Sequence, residues 1–264
     1  MITSSQNPKL KLVRALQGRS KERREEGAFA AEGVRLVEEA LAADWPIRFV
    51  LYSSGLSERG QALVEKLKSS EIEVDEVSDD LLQAASETET SQGILAVLEL
   101  ASLPIPASLN FILIPDQIRD PGNLGSLIRS AAAAGIQAVL LPPETTDAFA
   151  PKVVRAGMGT HFRLPIHTMD WDEIAQVCKR RPEPVEGSAK LQVYLADMNG
   201  QSCWETDFRA PLALIVGGEA EGASKQAREL VDTIESIPMP GEAESLNAGV
   251  AGAVLMFEVV RQRK

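Results

Sequence analysis

Residues 211–258 read PLALIVGGEAEGASKQARELVDTIESIPMPGEAESLNAGVAGAVLMFE. Residues 212–216 form a continuous apolar run with β-branched members, the pattern of a parallel strand covered on both faces. The run stops at Gly217-Gly218-Glu219-Ala220-Glu221-Gly222, where three glycines in six residues let the backbone turn sharply and let a ligand come close. The two carboxylates in that turn argue against a phosphate cradle and for a hydroxyl-bearing or cationic ligand. Residues 233–237 read as the next strand, and Pro238-Met239-Pro240-Gly241 breaks it. Ser245-Leu246-Asn247 then opens a helix expected to run to about Val260. Ala248, Gly249, Ala251, Gly252 and Ala253 carry almost no side chain, so another element or a ligand must lie against its first turns. A sheet with loops of this kind at the strand ends predicts an open, mostly parallel α/β domain, whose ligand sites lie beyond the carboxyl ends of the strands.

Upstream, residues 116–129 read DQIRDPGNLGSLIR and contain the pattern D-P-x-N-x-G-x-x-x-R. In this order, that stretch, GGEAEG at 217–222 and IPMPGEAESLNAGVAGAV at 237–254 resemble the three signature motifs of the SpoU (TrmH-like) family of RNA ribose 2′-O-methyltransferases. The resemblance covers most of residues 108–264. It implies a C-terminal SPOUT-type parallel-sheet domain whose chain forms a trefoil knot, and S-adenosylmethionine held bent by three loops. Carried onto this sequence, those loops assign cofactor contacts to Leu195, Ala196 and Asp197, then to Gly217, Gly218, Glu219 and Gly222, and finally to Ile237, Met239, Ser245 and Leu246. The resemblance places Arg129 beside the target ribose as the catalytic residue, with Asn123, Glu219, Ser245 and Asn247 orienting it, the ribose and the loops. A guanidinium stays protonated at neutral pH, which suits Arg129 to stabilising charge, or to phosphate-assisted proton transfer, rather than to acting as the base. Family members pair as homodimers through this domain and bring one chain's arginine to the other's cofactor. Three departures stand out: Gly218 where the family commonly has asparagine, Ala248-Gly249 where larger or hydroxyl-bearing residues are common, and Gly157, in a segment resembling P-K-x-x-R-x-S-x-G, where the family has serine.

With 264 residues, 44% of them hydrophobic, the chain suits one small and one larger domain. No apolar run approaches membrane-spanning length and the first residues carry no apolar signal core, so a cytoplasmic protein is expected. Two cysteines, Cys178 and Cys203, and two histidines, His161 and His167, offer little material for a disulfide framework, a metal site or a Ser-His-Asp triad. The net charge of −11 argues against a nucleic-acid partner, but the distribution is uneven. Residues 1–35 hold eight Lys and Arg against four Glu. Lys9, Lys11, Arg14, Arg23 and Arg24 are therefore candidate RNA contacts, as are Lys152 and Arg155, three apart on one helix face.

Before the signature motifs, residues 9–26 read as a basic arm or surface helix with a thin apolar stripe of Leu10, Val13 and Leu16. Residues 28–33 lead into a helix from Val34. Strands are expected at 47–52, 72–77 and 93–100, and helices at 58–69 and 79–85. This alternation predicts a small α/β domain, and the segment resembles the ribosomal-protein-like substrate-binding domain of many SpoU proteins. The expected organisation is therefore residues 1–100 for RNA binding, with 1–27 as the basic arm, a proline-bearing linker at 101–108, and the methyltransferase domain at 109–264. Asn123 is expected to cap the helix of the first motif, and residues 181–189, RPEPVEGSA, read as a surface insertion. The resulting expectation is an S-adenosylmethionine-dependent methyltransferase acting on ribosomal RNA. Transfer RNA is the alternative target, and a non-catalytic RNA-binding or ribosome-assembly factor is the alternative class. A phosphate loop at GGEAEG is disfavoured, because neither Gly-x-Gly-x-x-Gly nor Gly-Lys-Ser is present.

Overall fold

The computed structural model describes residues 1–179, 190–219, 222–242 and 244–264. The expected insertion at 181–189, and Ala220 and Glu221 of the glycine-rich turn, lie outside the described residues. The chain divides into two compact units, residues 1–101 with 149–163, and residues 102–148 with 164–264.

The first unit opens with α1 (Pro8–Gly18) and α2 (Ser20–Glu26), followed by β1 (Ala28–Glu32), α3 (Val34–Ala42), β2 (Ile47–Tyr52), α4 (Glu58–Ser69), β3 (Val74–Glu76), α5 (Asp79–Ala84) and β4 (Ile94–Glu99). Its sheet has the order β1-β4-β2-β3; β4 is antiparallel to both neighbours, while β2 and β3 are parallel. The α1 stripe is not the surface feature of an arm. Leu10, Val13 and Leu16 are fully buried, in one core with Ala28, Ala30, Phe49, Leu51 and Leu95. Burial of a leucine is worth about 1.5–3 kcal/mol, so this helix is part of what holds the unit together. Residues 28–32 are a strand rather than a lead-in, because β4 pairs with them along their whole length, from Ala28 opposite Glu99 to Glu32 opposite Leu95.

The second unit contains β5 (Phe111–Asp116), α6 (Pro121–Ala133) and β6 (Ala138–Leu141). Next in the chain is α7 (Pro151–Gly157), which belongs to the first unit. The second unit resumes with β7 (Ile166–Thr168), α8 (Trp171–Lys179), β8 (Gln192–Ser202), β9 (Leu212–Gly217), α9 (Lys225–Leu230), β10 (Thr233–Ser236) and α10 (Ala248–Gln262). Its sheet, β10-β8-β9-β5-β6-β7, is parallel at every pairing. The continuous apolar runs of β5 and β9 follow from this, since both strands are interior and covered on both faces. Residues 101–108 form neither helix nor strand.

Residues 149–163 group with the first unit, although they fall between two strands of the second sheet. The cause is aromatic: Phe149 and Phe162 lie against Phe29, with ring centroids 4.9 and 6.4 Å apart, and Phe162 also meets Trp45 at 5.4 Å. Gly157 is explained here as well. A Cβ at that position would lie 2.5 Å from the His161 ring, so a serine does not fit.

The two glycines of α10 are spent on packing against α6 and β9, while Ala248 and Ala251 line a cavity. A Cβ on Gly252 would lie 2.3 Å from Leu127 Cδ2 and 3.3 Å from Val216 Cγ2, and one on Gly249 would lie 3.4 Å from Ser126 Cβ. Among the described residues, no helix is long and apolar enough to cross a membrane.

Candidate functional site

The carboxyl ends of β5, β8 and β9 and the turn after β10 converge on the first residues of α6 and α10. Asp120, not Asn123, caps α6: its side chain accepts from the Asn123 amide at 2.8 Å, and Pro121 occupies the first helical position. Asn123 therefore sits inside the first turn with its side chain free for another task. Its Nδ2 donates to Glu219 Oε1 at 2.8 Å, and its Oδ1 accepts from Asn247 Nδ2 at 2.8 Å. Asn247 Nδ2 also donates to Glu219 Oε1 at 2.8 Å, which closes a triangle of three side chains, one from the first turn of α6, one from the glycine turn after β9 and one from the cap of α10. Asn247 is in turn the cap of α10, its Oδ1 accepting from the Gly249 amide at 3.0 Å and the Val250 amide at 3.3 Å. Each corner of the triangle is thus fixed by a helix start or a turn, as a preorganised polar site requires.

The glycine turn between the corners is built by close backbone approach. Gly218 and Gly222 bond each other in both directions, at 3.2 and 3.0 Å, and a Cβ on Gly218 would lie 2.3 Å from the Gln117 carbonyl. A side chain at this position would require the Gln117 backbone to shift. Behind the turn, Asp116 is fully buried, and its Oδ2 accepts from the Ser224 amide at 2.6 Å. Burial pushes its carboxyl above the ordinary aspartate value, partly offset by the Ser224 hydrogen bonds.

A cavity of about 360 Å³ lies beside the triangle, within the size range of small-molecule sites. Ala196 and Asp197 line one side, Gly217, Gly218, Glu219 and Gly222 a second, and Ile237, Met239, Ser245 and Leu246 a third. Leu195, expected among them, is fully buried in the sheet core instead. The lining also includes residues that sequence reasoning passed over, among them Val216, Glu235 and Leu255. The first two sit inside strands and read only as strand residues. Residues 196–200 are not a loop that ends β8. The strand continues to Ser202, and its pairing with β10 jumps from Leu195↔Ile234 to Gln201↔Glu235, so the intervening residues bulge toward the cavity. Burial acts to raise the Asp197 carboxyl, but hydrogen bonds from the Asn199 amide and from Arg228, at 3.0 and 2.8 Å, outweigh it and hold the group below the ordinary value. A second cavity, of about 220 Å³, shares Gly218, Glu219 and Ala248 with the first, while residues 117–120 and Asn123 complete it.

Arg129 lies on the exposed face of α6 and makes no hydrogen bond or ion pair among the described residues; the triangle does not hold it. Ser245 is exposed on the cavity rim. Of the cationic candidates, Lys11, Arg14 and Arg24 are exposed, as is Lys152, and Arg155 is half-buried. Arg23 is not a surface cation: it is buried and donates to the carbonyls of Leu16 and Gly18 at 2.6 and 3.3 Å. Lys9 is committed to Asp75 and, at 2.6 Å, to Glu73. Among the described residues no three His, Cys, Asp or Glu side chains gather as a metal ligand set.

Comparison with known proteins agrees with this geometry. The model of the SpoU rRNA methylase family matches residues 110–257, and that of the MRM3-like substrate binding domain matches residues 7–96. The 23S rRNA (guanosine(2553)-2′-O)-methyltransferase RlmP of Bacillus subtilis is 34% identical over 258 residues, covering 98% of each chain. The 23S rRNA (uridine(2479)-2′-O)-methyltransferase of Streptomyces viridochromogenes is 31% identical over 98% of this chain and 92% of its own. The solved structure of the SpoU methyltransferase AviRb from Streptomyces viridochromogenes, in complex with the cofactor AdoMet, superimposes with a TM-score of 0.87 at 31% identity over 98% of both chains. Motifs, sheet, polar triangle and these matches lead to one conclusion: the chain belongs to the SpoU rRNA methylase family.

Proposed function

We propose that the protein methylates a ribose 2′-hydroxyl in ribosomal RNA, with S-adenosylmethionine as the methyl donor. The observation that carries this reading is the triangle of Asn123, Glu219 and Asn247, in which Glu219 lines both cavities and Asn123 lines the smaller one. The larger cavity suits the cofactor: Val216, Ile237, Met239 and Leu255 offer an apolar surface, and Asp197, Glu219 and Ser245 offer polar groups at its edge. Once bound there, the cofactor supplies an electrophilic sulfonium methyl. Transfer from it demands in-line approach of the sugar oxygen, so orientation carries much of the rate. The smaller cavity is the entry for the ribose, where Asn123 and Glu219 face the arriving hydroxyl. The hydroxyl proton leaves to an RNA phosphate, and the charge developing on that oxygen is stabilised by the Arg129 guanidinium.

Arg129 serves the site of a second copy in this reading, which matches its lack of a partner among the described residues of its own chain. The exposed Val250 and Phe257 on α10, 50% and 48% accessible, supply the apolar face through which two copies would pair. RNA would be held by Lys11, Arg14, Arg24, Lys152 and Arg155, all in the first unit, which serves as the substrate-binding domain. The second unit serves as the methyltransferase domain, with the knotted path of its family, and the site of action is the cytoplasm.

Titration with S-adenosylhomocysteine in a calorimeter tests the cofactor assignment; saturable binding that Ala251→Trp, at the cavity lining, abolishes is expected, and no heat at millimolar ligand contradicts it. Mixing Arg129→Ala chains with Ala251→Trp chains, with subunit exchange measured, should restore part of the lost activity. Exchanged mixtures that recover nothing would remove the cross-subunit role.

A further inference from the structure

Glu235 is a fully buried carboxylate in β10, and it lies against the cofactor cavity. Burying a carboxylate is expensive unless its oxygens are hydrogen-bonded, and here both are. Oε1 accepts from Gln201 Nε2 at 3.0 Å and Oε2 accepts from Thr206 Oγ1 at 2.7 Å. Both donors lie just past the bulge of residues 196–200, and Gln201 Nε2 also bonds Thr206 Oγ1 at 3.1 Å. The same strand holds the bulge by its backbone. Ser236 Oγ donates to the carbonyls of Gly200 and Gln201 at 2.9 and 3.1 Å, and a Cβ on Gly200 would lie 2.6 Å from the Glu235 backbone. The outgoing end of the bulge is tied separately, through Asp197 to Arg228.

We propose that Glu235 is a positioning residue, which anchors the returning end of the 196–200 bulge and so holds one wall of the cofactor cavity ready for the ligand. The wall in question carries Ala196, Asp197, Met198 and Asn199, none of which is paired to β10 in the sheet ladder. Ala196 is held by β9 and Asp197 by Arg228, but without the anchor Met198 and Asn199 must be ordered by the ligand itself, and that cost appears as lost affinity. Glu235 makes no contact with the reacting atoms, so the chemical step should not feel its removal. The proposal rests on the reading that this cavity takes S-adenosylmethionine.

The test compares Glu235→Leu and Glu235→Gln in the full chain by S-adenosylhomocysteine calorimetry, steady-state kinetics and thermal melting. Glu235→Leu should raise the Kd, and the KM for S-adenosylmethionine, by roughly tenfold while kcat at saturating cofactor stays within about twofold. Glu235→Gln keeps an acceptor for one of the two donors and the shape of the side chain, and should restore most of the affinity. Should Glu235→Leu fail to fold, Gln201→Leu removes one of the same hydrogen bonds from an exposed position and should weaken binding in the same direction. Wild-type affinity in a folded Glu235→Leu or Gln201→Leu protein, or a fall in kcat without a rise in KM, would overturn the proposal. No binding by the wild-type chain would overturn the cofactor reading itself, and this proposal with it.

Discussion

Asn123 and Arg129 stand six residues apart on α6 and take different parts. Asn123 is a corner of the polar triangle, giving a donor to Glu219 and an acceptor to Asn247, whereas Arg129 projects from an exposed face. Arg129→Ala should therefore lower kcat by roughly 10²–10³, as for the loss of one preorganised charge-stabilising donor, with S-adenosylhomocysteine affinity unchanged. Asn123→Ala should lower kcat and also weaken cofactor binding by a few-fold, because Glu219 loses its tether on the cavity wall. Calorimetry beside steady-state kinetics separates the two; equal losses of cofactor affinity in both variants would contradict the division. At this scale the sequence was informative about identity and less so about geometry. The residues of the triangle were readable because their motifs lie in fixed order, while the capping role fell to Asp120, since Pro121 already fills the first helical position. Glu235 was invisible in sequence, because an acid in the short, largely polar strand Thr233-Ile234-Glu235-Ser236 reads as a solvent-facing residue until its neighbours across the strand are known.

Among elements, the fit of α10 on α6 and β9 sets the position of Asn247. Gly252→Leu would drive its Cβ into Leu127 and Val216, and overpacking of this kind costs about 1–3 kcal/mol. Scanning calorimetry should show a lower Tm, with Gly249→Ala, whose Cβ meets neighbours no closer than 3.2 Å, changing far less. Equal melting of Gly252→Leu and wild type would contradict the packing argument. The junction of β5 with the glycine turn makes a second prediction. Burial raises the folded-state value of Asp116, so the protonated form is favoured in the folded chain. Its contribution to stability is then greatest at acid pH and is lost as pH rises through the raised value. Asp116→Asn carries no such dependence, and the Tm of the variant relative to wild type should climb as pH rises from the ordinary aspartate value through the raised one. A constant difference would show that the group titrates as it does in the unfolded chain. Most helices and strands were legible from apolar periodicity. The exceptions were β1, whose alanines give no alternation, and the long β8, where a bulge that leaves the sheet and returns resembles a strand end.

For the molecule as a whole, two units and their sheets followed from the alternation of elements and the proline-bearing stretch at 101–108. Sequence order hid the grouping of residues 149–163, which is decided by the stacking of Phe149 and Phe162 on Phe29, a ring more than a hundred residues away along the chain. The basic start of the chain also changes meaning. Because Leu10, Val13 and Leu16 are core, removing it would unfold the unit, and only its exposed cations are available to RNA. Replacing Lys11, Arg14 and Arg24 together by alanine should weaken RNA binding and flatten its salt dependence, by up to about 0.7–0.9 in slope for each phosphate that is no longer neutralised. Lys9→Ala and Arg23→Ala should instead lower the Tm, since both side chains are committed within the unit. An unchanged salt slope in the triple variant would take this face out of RNA binding. The most direct measurement for the account is transfer of a labelled methyl group from S-adenosylmethionine to ribosomal RNA, with the product mapped by nuclease digestion and mass spectrometry. The expected result is label on a ribose 2′-oxygen with the wild-type protein and its loss with Arg129→Ala. Label on a base, or no transfer by a protein that binds both cofactor and RNA, would contradict the assignment of this site.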